Sequence, residues 1–382
     1  MNLSDLARNA HMLHGPLSKK GYMRWWHSFS GMQPESREIR TFFVEFFVMN
    51  PGLGKDRPIL GQHPHNKKRG IKPSYVMVKA GVFPDENGDG GRQFHAFYPL
   101  CALQATGSPL VMRLKGSPEK HCQAGDCFYS EDKLTGFVEV TPQEARHRSF
   151  MTDSGSMEWD VTIRKAVSCH TGIRAGRFFQ ALNAWESYWH GEGIRSFFEG
   201  SVILDGIAYE VTPDLSYGYA DKHWGRNFNK PWFQFACGCL TSERNQKQLR
   251  HSVLAVNGLC PRFLWFPLRQ RLMLQLTYMG EDFEFSRCKW ETKETGSRYI
   301  WHILARNKTS VVKISCSCTR QQMLSLQYET PEGKKEKQPP LAGAGGTGTI
   351  RLYRRESGDR VLIDTLKMEN AFCICGMPFP VS

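Results

Sequence analysis

The sequence predicts an all-β architecture of antiparallel barrels or sandwiches, and three observations carry that expectation. Short runs rich in Val, Phe, Tyr and Trp recur along the chain, with polar residues interleaved. They are punctuated by 35 Gly and 20 Pro, and stretches with helical periodicity are scarce. Punctuated strands at close spacing are how barrels and sandwiches read in sequence. With 382 residues the chain is long enough for two domains that each bury a core.

Taken in order, the strands are read in "RTFFVEFFVM" (40–49), "SYVMVKAGVF" (74–83), "RQFHAFYPL" (92–100) and "MEWDVTIRKAV" (157–167). The run 196–211, "SFFEGSVILDGIAYEV", holds Asp205-Gly206 between two apolar arms, a two-residue hairpin connection. Later strands fall at 297–307, 310–319 and 348–355. One stretch, "RFFQALNAWESYWH" (177–190), spaces Phe178, Ala181, Leu182 and Trp185 for a helix. In that helix Glu186 and His190 form an i, i+4 surface pair.

A faint repeat divides the chain. "GYMRWWHSFSG" followed by "IRTFFVEFFVMNPG" has a counterpart in "NKPWFQFACGC" followed by "LRHSVLAVNGLC". Each is a Trp-containing strand, a polar turn and an apolar strand closing on Asn and Gly. The expected domains are 1–227 and 228–382, meeting near 215–230, where pockets preferentially form.

The net charge of +13 points to an anionic partner, but the basic residues are dispersed. Dense runs occur at Lys67, Lys68 and Arg69 and at Lys334, Lys335 and Lys337. No nucleic-acid role is expected. The first run, next to His63 and His65, suits a mobile loop at a pocket mouth or against an anionic membrane surface. No stretch of about 18 uncharged apolar residues is present, and the start lacks the apolar core of a secretory signal. The twelve cysteines then read as reduced thiols and the cytoplasm as the compartment, with peripheral membrane contact left open.

The candidate site is "DLSYGYADKHWGRNFNKPWF" (214–233). In an extended segment Tyr219, Asp221 and His223 share one face, and Lys222 and Trp224 the other. A carboxyl group walled by aromatics loses water, which raises its pKa and lets it hold a proton near neutrality. The same residues also suit a strand-to-loop corner in which Asp221 caps backbone N–H groups. Three Cys-x-Cys pairs, Cys237/Cys239, Cys316/Cys318 and Cys373/Cys375, sit in apolar runs rather than the turns that zinc sites use, so they read as core packing. "GAGGTG" (343–348) matches Gly-x-Gly-x-x-Gly, but a strand follows where a dinucleotide site needs a helix.

These motifs resemble the tocopherol cyclase family and, more distantly, the carotenoid 1,2-hydratases. "Tyr219-Ala-Asp221-Lys-His223-Trp224-Gly225" is similar to the family's Tyr-x-Asp/Glu-x-Asn-Trp-Gly, and "FNKPWF" (228–233) to the Phe-Pro-x-x-Trp-Phe that follows it. "FFEGSVILDGIAYEV", "MEWDVTI", "GYMRWWHSFSG" and "FCICGMP" look like further family segments. The resemblance implies two lipocalin-like β-barrels with one or two short helices around an apolar cavity. It implies a cofactor-free, metal-free cyclase or isomerase acting on a hydrophobic prenyl or polyene substrate. Asp221 would be the general acid that protonates an alkene, Tyr219 its orienting group and His223 its relay. Trp25, Trp26, Trp224, Trp232, Trp159 and Tyr217 would line the substrate pocket and face the carbocation. A hydratase that admits water and a non-catalytic carrier are the alternatives. Two departures stand out: His223 replaces the usual Asn, and Arg24-Trp25-Trp26 stands where the cyclases have Gly-Trp-Tyr.

Overall fold

Alternation of large apolar and polar residues makes the chain a succession of long strands, each with two usable faces. The computed structural model describes residues 9–107, 109–116, 123–169, 187–215, 218–226, 232–259, 262–263, 266–267, 271–285, 287–356 and 359–376. Among these residues, thirteen strands between Tyr22 and Gly225 form one antiparallel sheet. Eleven strands between Trp232 and Gly376 form a second. Among the described residues, helix is limited to short pieces such as Pro64–Lys68 and Pro142–Ala145, the latter held by a Thr141/Glu144 capping box. No helix among the described residues is long and apolar enough to cross a membrane.

In the first sheet, strand Tyr22–Met32 lies between Ile39–Met49 and Gly218–Gly225. The far strand Arg92–Tyr98 comes back against Lys133–Val140, curling the sheet into a barrel. Its interior is filled by Trp25, Phe29, Phe46, Trp159, Phe198 and Trp224. The second sheet curls around Phe235, Trp301, Ile314, Leu352 and Met368. A third cluster, including Trp26, Phe43, Phe47, Trp189, Tyr219, Trp232 and Phe372, lies where the outer face of the first sheet meets the outer face of the second. This seam positions the candidate site.

Two motifs resolve into local structure. Asp205 and Gly206 take φ of 49° and 83° and join Leu204 directly to Ile207, as a two-residue hairpin turn requires. "GAGGTG" lies inside strand Leu341–Glu356. A Cβ at Gly346 would stand 2.6 Å from Cys373 Sγ, so the bare backbone lets the thiols of flanking strands meet over it. Cys316 and Cys373 do so, their sulfurs 4.0 Å apart.

The expected helix at 177–190 is corrected where it can be followed. Ser187–His190 begin the strand Ser187–Leu204, and residues 170–186 lie outside the described residues. Tyr188 packs into the first barrel and Trp189 into the seam, the alternation of a strand, so His190 is no partner on a helical face. The loop expected around His63–Arg69 contains the short helix Pro64–Lys68, with Lys67 and Lys68 in its last turn.

A candidate proton-transfer site at the seam between the sheets

Strand Gly218–Gly225 lies against Tyr22–Met32 in a register that sets Ser28 opposite Tyr219, Trp26 opposite Asp221 and Arg24 opposite His223. Its other neighbour sets Trp189 opposite His223. Strand Trp232–Cys237 of the second sheet crosses over this face and brings Gln234 down onto it. The Asp221 carboxylate is fully buried.

Its Oδ2 collects three donors: Tyr219 Oη–H at 2.6 Å, Trp189 Nε1–H at 3.0 Å and Gln234 Nε2–H at 3.0 Å. His223 Nε2 stands 3.5 Å away. Gln234 also donates to the Tyr219 oxygen, and its Oε1 lies 3.2 Å from His223 Nε2. That contact fits the tautomer in which Nε2 carries the hydrogen. Asp221 Oδ1, in contrast, is buried with no hydrogen-bond partner among the described residues.

A chain of alternating charge extends from here across the seam. Glu45 lies directly opposite Trp26, and Lys79 directly opposite Glu45. Glu45 accepts from Arg24 at 3.4 Å, from Lys79 at 3.2 Å and from Tyr328 Oη–H at 2.9 Å. Tyr328 belongs to the half of the chain that carries the second sheet, so both parts complete the network. All four side chains are essentially buried. Burial pulls Lys79 down to about 8 against the opposing pull of Glu45.

The protonation expected for Asp221 is corrected here. Burial does act to raise its pKa, as reasoned from the aromatic surroundings. The His223 ring, its hydrogen bond, the Arg24 guanidinium and the Tyr219 hydroxyl together outweigh it. Asp221 is therefore held below the ordinary carboxylate range and rests as an anion. Three donors on one oxygen are what an ionised carboxylate attracts. Burial, followed by the Arg24 charge, lowers His223 against the opposing pull of Asp221. Tyr219 is pushed well above its usual value by burial and by Asp221, so it stays a donor.

Two small cavities lie against the residues around Asp221. One of about 30 Å³ touches Arg24, Trp189, His223, Trp232 and Asn257. The other, about 10 Å³, touches Ser28, Tyr219, Ala236 and Phe372. Asp221 lines neither, and neither holds a prenyl chain, so the expected large apolar pocket is not formed at this place among the described residues. Side chains from the two sheets fill the seam instead: Trp26 packs on Phe43 at 4.8 Å, and Tyr219 stacks on Phe372 at 4.7 Å.

Of the expected substrate residues, Trp26 and Trp232 share the seam with Asp221, Tyr219 and His223. Trp25, Trp159 and Trp224 belong to the interior of the first barrel, on the opposite side of the sheet. Odd and even positions of adjacent strands face opposite ways, which separates Trp25 from Trp26 and Trp224 from His223. Tyr217 lies outside the described residues. Sequence reasoning passed over Gln234, Trp189, Glu45, Lys79 and Tyr328. Only Gln234 had a readable signal, two residues from Trp232 and hence on its face.

The profile of the family described as tocopherol cyclase-like matches residues 136–372. This chain belongs to that family. The matched span of this tocopherol cyclase-like protein contains Trp189, Tyr219, Asp221, His223 and Gln234, and Arg24 and Glu45 precede it. No curated protein matches it. Two solved structures are similar in part. A putative AttH from Nitrosomonas europaea is 10% identical with a TM-score of 0.43, the alignment covering 91% of this chain and 92% of that one. Kievitone hydratase from Nectria haematococca is 13% identical with a TM-score of 0.44, covering 98% and 94%.

Proposed function

We propose that the protein is an enzyme of cyclase type in which Asp221 moves the proton of an addition to a carbon–carbon double bond in a hydrophobic, prenyl-type substrate. Membership of the tocopherol cyclase-like family supports the reaction class. The observation that carries the residue assignment is the asymmetry of the Asp221 carboxylate. Oδ2 is saturated by protein donors, and Oδ1 is buried and unpartnered.

An ionised resting Asp221 changes the order of events from simple acid catalysis. Oδ1 first accepts the proton of the substrate's own hydroxyl group. It then hands that proton to the less substituted alkene carbon, and the hydroxyl oxygen closes on the resulting tertiary cation. One O–H bond is exchanged for one C–H bond and one C–O bond, the π bond is consumed, and the product is an isomer of the substrate. Tyr219, Trp189 and Gln234 orient the carboxylate throughout, and His223, bonded to Gln234, fixes the pair's geometry. The aromatic faces of Trp26, Trp232 and Phe372 favour the cation, each by about 2 kcal/mol when water is excluded. Substrate enters by displacing seam side chains that now fill its place.

A specific observation favours hydration as a second reading. The cavity of about 30 Å³ beside His223 has a polar rim of Arg24, Ser187 and Asn257, and that volume suits a single water.

The test is incubation of wild type and Asp221→Asn with a prenylated hydroquinone, followed by mass spectrometry. An isomeric product supports cyclisation, and a product heavier by one water supports hydration. Binding without turnover by the wild type leaves only a carrier. Full turnover by a folded Asp221→Asn variant removes Asp221 from the mechanism.

A further inference from the structure

We propose that the part of the second sheet's outer face that carries Lys289, Leu304, Lys313 and Arg351 is a docking surface for an anionic phospholipid bilayer. The face is built from strands Arg287–Thr295, Arg298–Arg306, Ser310–Thr319 and Leu341–Glu356, neighbours in that order. Their register places Lys289, Leu304, Lys313 and Arg351 directly opposite one another in a single row. Three cations thus span three strand spacings, about 14 Å. Arg287 and Arg306 oppose each other two residues along, on the same side.

These five cations are exposed, and none makes an ion pair with a described residue. The acid on the face, Glu291, is taken by Lys293 at 3.0 Å. Surface cations normally gather acids around them, so a row without them is an open electrostatic demand. The row lines a hollow of about 570 Å³ together with Glu291, His302 and Ile303.

Charge alone would suit any polyanion, and the apolar neighbours decide between them. Leu304 sits exposed in the middle of the cationic row, and Leu362, opposite Tyr353, is 51% exposed at its border beside Val361. Exposed aliphatic side chains among unpaired cations match the boundary between headgroups and acyl chains. A single-stranded nucleic acid would want exposed rings for stacking. Among the described residues the face offers His302 and Tyr353, and Tyr353 is half-buried with Lys313 over its ring at 5.6 Å.

The experiment is co-sedimentation of the full-length protein with vesicles of phosphatidylcholine alone or mixed with phosphatidylserine. Binding is expected only with phosphatidylserine and is expected to fall as salt is raised. Each charge removed costs roughly fivefold in partitioning. Lys289→Gln/Lys313→Gln/Arg351→Gln should therefore bind on the order of a hundredfold more weakly at an unchanged Tm. Lys67→Gln/Lys68→Gln/Arg69→Gln, with the same change in net charge elsewhere, should bind as the wild type does. Absence of wild-type binding overturns the proposal. So does equal loss in both triple variants, which would make the effect one of net charge, and so does displacement from vesicles by stoichiometric single-stranded RNA.

Discussion

Strand Gly218–Gly225 buries two opposite charges side by side, and its two faces treat them differently. Asp221 faces the seam, where hydroxyl, indole and amide donors from both sheets converge on it. Lys222 faces the interior of the first barrel, its ammonium 5.1 Å from the Trp25 ring and 4.9 Å from the Trp224 ring, with the Ala10 carbonyl accepting from it. Directed hydrogen bonds hold the first as an ion. Burial brings Lys222 down to about 7 despite the opposing pull of Glu192 and Glu131. Burial penalises both charges, and the charges and donors around each decide how far its titration moves.

The largest way to break the comparison is through function. Asp221→Asn should lower turnover by roughly 10²–10⁴-fold, the range for loss of a general acid–base group. Lys222→Met, one residue away, should cost less than the roughly 10²-fold that marks the smallest acid–base losses if only the seam face is chemical. Steady-state rates on one substrate separate the two. Next comes the seam's charge network. Glu45→Gln leaves Arg24 and Lys79 without their carboxylate and should cost about 3–5 kcal/mol of stability in denaturant melts. Glu45→Gln/Lys79→Met should recover part of that loss.

Gln234→Leu is gentler, costing about 1–3 kcal/mol for unpaired buried groups. With one donor fewer, Asp221 should titrate higher, so the acid limb of kcat/KM should move to higher pH. The smallest effects sharpen the contrast through pH. Asp221 is lowered on folding, so its contribution to stability is present above the ordinary carboxylate pKa and fades as pH falls through the folded value. Lys222 is also lowered, from 10.5 to about 7, so stability declines as pH falls across that window. Asp221→Asn should flatten the acid end of a Tm–pH curve. Lys222→Met should reduce the alkaline slope and leave the part due to Lys79, lowered to about 8.

Much of the strand pattern was readable because alternation is local: Phe42 to Met49, Trp159 to Ile163 and the Asp205-Gly206 turn each carry their own signal. The end of the expected helix, Ser187–His190, misled because Tyr188 and Trp189 continue a helical stripe as readily as they take the two faces of a strand. Their division between separate cores depends on what covers each face. The shared face of Tyr219, Asp221 and His223 was equally readable. Its membership was not, since Trp25, Trp26, Trp159, Trp224 and Trp232 are alike as residues and differ only in the side of a sheet they take.

The sequence by itself determined the strands, the hairpin and the trio on one face, because a two-residue period needs no distant partner. Only the tertiary structure decided that Asp221 is an anion. His223 and Tyr219 on its own strand act together with Arg24 from a second strand, while Trp189 and Gln234 donate to it from two more, and such partners act over ångströms in space whatever their distance along the chain.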